Sequence, residues 1–183
     1  MRVITGSARG RKLLTLEGTD VRPTTDIVKE AMFSIIQFEI EGRRVLDLFG
    51  GCGQLAIEAL SRGADSAVIV DASKKSVDVI KKNLETTGFD KKAVVINSDA
   101  IAFLSRRAEK YDIALLDPPY SKGLMEKALE KISDVMNEGG VIVCEAPFGD
   151  GMPERAGVFA LYKKYRYGKT GLFVYRFYEE GND

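Results

Sequence analysis

The pattern of apolar and polar positions changes character three times along the chain. Residues 2–5 and 12–16 are short β-prone stretches separated by Gly6-Ser-Ala-Arg-Gly10, whose Gly and Ser belong in a loop between paired strands. The pattern predicts an N-terminal β-hairpin. Apolar residues then recur at Ile27, Val28, Ala31, Met32, Ile35 and Ile36, a helical spacing, with Thr24 or Thr25 placed to cap the helix. From residue 43 short apolar runs at 45–49, 67–71, 93–97, 113–117 and 141–145 alternate with amphipathic segments such as 55–61 and 76–86. Buried strands alternating with helices predict an open α/β sheet, mostly parallel and covered on both faces. Residues 158–167 and 172–178 are aromatic, β-prone and joined by Gly168-Lys-Thr-Gly171, which predicts a closing antiparallel hairpin. The expected division is a hairpin extension over residues 1–21 and one α/β domain over 22–183.

Composition narrows the chemistry. The 183 residues include no histidine, which excludes Ser-His-Asp and Cys-His nucleophilic sites, histidine-ligated metals and a histidine base. The two cysteines, Cys52 and Cys144, are too few and too far apart for a thiolate metal site, so no metal is expected. Cys144, in an apolar strand, reads as core, and Glu145-Ala-Pro147 closes that strand at the pocket's edge with no chemical task of its own. No segment reaches the apolar length of a signal peptide core or a membrane span, and the expectation is a cytoplasmic, monomeric protein.

The first strand of the α/β region runs into Asp47-Leu-Phe-Gly-Gly-Cys-Gly53, with an acid, Asp71, ending the next strand. Such a loop lets backbone approach a nucleotide while the second acid accepts ribose hydroxyls. Dinucleotide enzymes and S-adenosylmethionine (SAM) methyltransferases share both features. Asp47 favours the second class, because a carboxylate before the glycines repels a pyrophosphate but accepts bonds from a zwitterionic amino acid. Asp99, in Asn97-Ser-Asp99-Ala-Ile101, is placed to take an adenine amine, or simply to cap the next helix. Asp47, Phe49, Gly51, Gly53, Asp71, Asp99 and Ala100 are therefore the expected cofactor residues.

The fourth strand ends in Asp117-Pro118-Pro119-Tyr120. Two prolines stiffen a loop at the sheet edge where such folds place ligands. An exocyclic amine on a base is a poor nucleophile because its lone pair is delocalised into the ring. Asp117 and the Pro118 carbonyl can accept its two N–H bonds and aim the lone pair, while Tyr120 stacks on the ring. The amine becomes acidic only after it has accepted a methyl group, so a site without histidine suffices.

With these residues in place the chain closely resembles the RsmD-type methyltransferases, which methylate the exocyclic N2 of a guanine in bacterial small-subunit (16S) ribosomal RNA. The resemblance runs through Arg22-Pro-Thr-Thr-Asp26, Lys29-Glu-Ala-Met-Phe33, the glycine loop, Glu58-Ala-Leu-Ser-Arg-Gly-Ala64, Asp117-Pro-Pro-Tyr120 and Tyr167-Gly-Lys-Thr170. It implies a Rossmann-like fold with a mostly parallel seven-stranded sheet, SAM as cofactor, catalysis at Asp117, Pro118, Pro119 and Tyr120, and ribosomal RNA or an assembling 30S particle as partner. The chain departs at Gly50, Cys52 and Gln54, where Ala, Ser and Ala are the family's expected residues.

Charge then becomes informative. The net charge is zero, yet residues 1–25 carry five basic against two acidic side chains, and residues 158–178 carry five basic and none acidic. The two ends predict one basic rim around the site, with Arg9, Arg11, Lys12, Arg22, Thr24 and Lys169 as RNA contacts. The competing functions are a DNA adenine-N6 or protein-glutamine amide methyltransferase, a nicotinamide oxidoreductase, which leaves the DPPY segment without a task, and a non-catalytic SAM-binding RNA assembly factor.

Overall fold

The computed structural model describes residues 1–16, 26–106, 109–119 and 123–178. Five parallel strands, β1 (Arg44–Asp47), β2 (Ser66–Asp71), β3 (Ala93–Asn97), β4 (Tyr111–Leu116) and β5 (Met136–Pro147), alternate with helices α2 (Gln54–Ser61), α3 (Lys74–Thr87), α4 (Ala100–Leu104) and α5 (Leu124–Ile132). Helix α1 (Asp26–Ile35) precedes β1. The chain then closes with β6 (Arg155–Ala156), β7 (Phe159–Tyr167) and β8 (Thr170–Phe177), giving one sheet in the order β3-β2-β1-β4-β5-β8-β7-β6. β8 inserts antiparallel between β5 and β7. The sheet holds the seven expected strands plus β6, a two-residue strip at the edge.

Strand alternation sorts the core into two layers. Val45, Ile113, Leu115, Val143 and Leu172 point with α1, α2 and α3, whereas Leu46, Leu116, Cys144 and Phe173 point with α4 and α5. The strands are short apolar runs because both faces are covered. Order reverses between β1 and β4, the place where an open α/β sheet opens a crevice at its carboxyl edge, and both the glycine loop and Asp117-Pro118-Pro119 leave the sheet there.

The N-terminal segment is less regular than its β pattern predicts. Its strand pairing is a single antiparallel bridge, Arg2 with Lys12. Val3 N–H also donates to the Arg11 carbonyl at 2.9 Å and Leu13 N–H to the Met1 carbonyl at 3.1 Å, while other backbone groups turn to α2 and α3. Glu58 accepts the N–H groups of Ile4 at 2.8 Å and Thr5 at 3.0 Å, and Ser61 Oγ accepts Ala8 N–H at 3.0 Å while donating to the Thr5 carbonyl at 2.6 Å. Val3, Ala8 and Leu13 are buried in the layer that holds α1 and α2. Gly6, at φ 88°, permits the close approach: a Cβ there would lie 1.8 Å from the Ser61 carbonyl oxygen. We refer to residues 1–16 as the arm.

Candidate active site

Asp47 ends β1 with 1% of its surface exposed. Its Oδ2 accepts the Ala56 N–H at 3.2 Å, from the first turn of α2, and its Oδ1 has no hydrogen-bond partner among the described residues. Burial pushes this carboxyl up to about 7, and the charges of Asp117 and Asp71 push the same way. A buried acceptor with an open oxygen calls for a cationic or N–H donor.

The loop beyond it is built for close approach. Gly51 has φ 58°, and a Cβ on it would project into open space, so the backbone there presents a bare concave surface. Asp71 holds the loop from the next strand: its Oδ2 accepts Gly51 N–H and its Oδ1 accepts Ser73 N–H, both at 2.8 Å. Gly50 packs differently. A Cβ at that position would lie 2.5 Å from Ile69 Cγ2 and 3.0 Å from Ile80 Cδ1, so the two isoleucines fill the space that a methyl group there would need. Asp99 caps α4, its Oδ1 accepting Ala102 N–H at 2.9 Å, and Ala100 is buried behind it. Phe49 packs half-buried against the α4 and α5 layer. Gln54 is buried, and its Oε1 has no hydrogen-bond partner among the described residues.

Asp117 stands one residue past β4, half-buried, with Pro118 buried and Pro119 exposed behind it. The residue before a proline is held extended, so the strand's alternation carries through Asp117. Asp117 therefore rises on the face of Leu115, which is also the face of Asp47, its register partner. Their electrostatic coupling agrees. Asp47, Asp71, Asp99 and Asp117 thus come to the carboxyl edge on four neighbouring strand ends. Tyr120, Arg22 and Thr24 lie outside the described residues.

Three site residues were not singled out from the sequence. Asn83 of α3 is fully buried and donates to the carbonyls of Cys52, at 2.8 Å, and Leu14, at 3.0 Å, while accepting Leu14 N–H at 2.8 Å. It ties the cofactor loop to the end of the arm. Lys29 and Glu58, both fully buried, form an ion pair at 3.9 Å, with Lys29 Nζ donating to the Arg2 carbonyl at 2.8 Å and Arg62 Nε donating to Glu58 at 2.9 Å. Burial lowers the Lys29 pKa. The signal was present in each case: Asn83 lies on the stripe of Val77, Ile80 and Leu84, Lys29 on that of Met32 and Phe33, and Glu58 in an all-buried helix.

The described basic residues extend beyond the catalytic edge. Lys169 sits at the carboxyl edge, its carbonyl accepting Phe148 N–H at 2.9 Å just after β5, with the Arg166 guanidinium 5.1 Å from the Phe148 ring. Arg9, Arg11 and Lys12 are exposed on the arm; Arg9 belongs to its turn, which lies at Ser61, the end of α2 opposite the glycine loop, whereas Lys12 is two residues from Leu14, which Asn83 ties to the Cys52 carbonyl of that loop. An eight-residue helix separates the two ends by about 12 Å. The hydrogen bonds to Glu58 and Ser61, which charge counting does not see, set the arm's course.

A family model described as conserved hypothetical protein 95 matches residues 1–176. The chain is 33% identical over 181 residues to ribosomal RNA small subunit methyltransferase D of Escherichia coli, covering 98% of this chain and 89% of that one. The chain belongs to the RsmD family. Bacillus subtilis YlbH, named as a candidate rRNA methyltransferase, is 40% identical over 181 residues, covering 96% and 98% of the two chains. The solved structure of yhhF from Escherichia coli, named as a candidate methyltransferase, superposes with a TM-score of 0.87 at 32% identity over 97% of each chain. The RsmD-family chain therefore has the Rossmann-like methyltransferase fold, and among its described residues no helix is long and apolar enough to cross a membrane.

Proposed function

We propose that this chain methylates the exocyclic N2 amine of a guanine in small-subunit ribosomal RNA with SAM as donor. The observation that carries the proposal is the pairing of Asp47, whose buried Oδ1 lacks a donor, with Asp117 on the adjacent strand end and the same face. The first suits an amino-acid ammonium and the second an amine about to be alkylated. The residues fit the cofactor: Asp47 for its ammonium, the open face of Gly51 for its backbone approach, with Gly53 opening α2 beside it, Asp71 for ribose hydroxyls, and the second oxygen of Asp99 for the adenine amine, with Phe49 and Ala100 beside it. Bound SAM supplies an electrophilic methyl group on a sulfonium.

The chain's own work is orientation. Asp117 and the Pro118 carbonyl accept the two N–H bonds of the amine and favour its pyramidal form, and the rigid prolines keep both acceptors in place. Tyr120 is assigned to stacking on the base. After transfer Asp117 or solvent accepts the proton. Lys169 engages the RNA backbone close to the target, with Arg22 and Thr24 assigned to the same role; Lys12 and Arg11 engage it along the arm, and Arg9, on the arm's turn, about a helix length away. The partner is the RNA or a 30S particle in assembly, the expected compartment the cytoplasm, and the expected state a monomer.

Purified protein with labelled SAM should methylate small-subunit particles that lack the mark, and mass spectrometry of the digested RNA should place the label on guanine N2. Transfer to adenine or to DNA instead would overturn the substrate assignment.

A further inference from the structure

Asp117 and the Pro118 carbonyl can hold any exocyclic amine. Adenine N6 and guanine N2 both offer two N–H bonds, so this pair of acceptors does not choose between the bases. The choice needs a group that meets the ring atom beside the amine. In guanine that atom is N1 with its hydrogen, a donor; in adenine it is N1 with a lone pair, an acceptor.

The neighbouring strand supplies such a group. β4 and β5 pair in parallel with Leu116 opposite Cys144, and one step further Asp117 stands level with Glu145. Alternation puts both on one face: Leu115, Val143 and Leu172 line the α1 and α2 layer, Leu116 and Cys144 the opposite one, and Leu172 is the register partner of Glu145. Adjacent strands lie about 4.8 Å apart, so the two side chains can both reach the one base edge that carries the amine and N1. Glu145 is 5% exposed, so whatever it faces in the site meets a desolvated carboxylate. Asp47, with its open oxygen, lies on the same face one rung lower.

We infer that Glu145 is a specificity residue, accepting the N1–H of the target guanine while Asp117 and Pro118 hold its N2 amine. The inference rests on the guanine-N2 proposal above. A carboxylate accepts a charge-assisted bond from N1–H, but opposite the N1 lone pair of adenine it is a buried acceptor facing another acceptor. Sites that hydrogen-bond a substrate N–H reject analogues lacking it far more strongly than apolar pockets do, because their own polar group is left unpaired. Glu145 therefore turns an amine methyltransferase site into a guanine site.

The test uses the full chain and small-subunit particles carrying either guanine or 2-aminopurine at the modified position. 2-Aminopurine keeps the N2 amine and replaces N1–H by a lone pair. The unaltered chain should prefer guanine by about 100-fold or more in kcat/KM. Glu145→Gln, whose amide can donate to a bare N1, should lose about 100-fold on guanine and hold or gain on 2-aminopurine, bringing the ratio towards one with SAM affinity unchanged. Glu145→Asp, which keeps the carboxylate, should keep the preference at a lower rate. Equal losses on both bases, or an unaltered ratio in Glu145→Gln, would show a structural role and overturn the inference. Methylation of adenine by the unaltered chain would instead remove the guanine-N2 proposal on which it stands.

Discussion

Asp47 is a buried acid whose Oδ1 meets no donor among the described residues. Its pKa stands at about 7 against an ordinary 3.8, chiefly because of burial. The folded chain therefore holds the proton more firmly than the unfolded one, so this group favours folding below pH 3.8 and that contribution is lost as pH rises to about 7. The shift corresponds to about 4 kcal/mol against the apo fold above pH 7. Asp47→Asn should accordingly raise the apo Tm at pH 8 while weakening SAM binding at least tenfold, as thermal melts with and without SAM would show. SAM affinity of the unaltered chain should rise from pH 5.5 to 7, by up to about tenfold per unit, and calorimetric titrations should find that slope absent in Asp47→Asn. Asp117→Ala should abolish turnover with SAM affinity nearly intact; retained turnover would take Asp117 out of the mechanism. The acids at strand ends were legible in the sequence because each follows an apolar run. Asn83 and Glu145 were not, since their significance depends on which residues of other elements they meet.

The arm shows the same limit one level up. Alternation and loop residues pointed to a hairpin, and the two stretches do fold back on each other, but only Arg2 and Lys12 form a bridge. The N–H groups of Val3, Gly10 and Leu13 pair across the arm, while those of Ile4, Thr5, Ala8 and Leu14 go to Glu58, Ser61 and Asn83. Strands 67–71, 93–97 and 113–117 were placed to within two residues, because a strand covered on both faces announces itself by composition alone. Glu58→Ala should strand the Lys29 charge and release the Ile4 and Thr5 amides at once. The expected loss is about 3–5 kcal/mol of stability, with faster amide exchange at Ile4 and Thr5 than anywhere in β1. Unchanged exchange there would mean that Val3, Ala8 and Leu13 hold the arm without the polar ladder.

Across the whole molecule, zero net charge conceals two basic regions that the fold keeps apart. Lys169 and Arg166 lie beside the catalytic edge, and the turn of the arm lies beyond the far end of α2. The RNA footprint should therefore be long, and its two halves should differ in effect. Lys169→Glu should lower kcat/KM and reduce the salt slope of RNA binding by about one, whereas Arg9→Glu should weaken binding with kcat on bound particles unchanged. Filter binding at several salt concentrations together with single-turnover rates would separate the two, and an identical response would argue for a compact footprint. The seat of the arm carries one more consequence. Helices α2 and α3 grip it largely through its main-chain N–H and C=O groups, so its outward side chains are not what keeps it attached. Those side chains can drift or be exchanged while the seat stays whole, which makes the arm a place where a lineage, or an engineer, can rewrite RNA preference without renegotiating the fold.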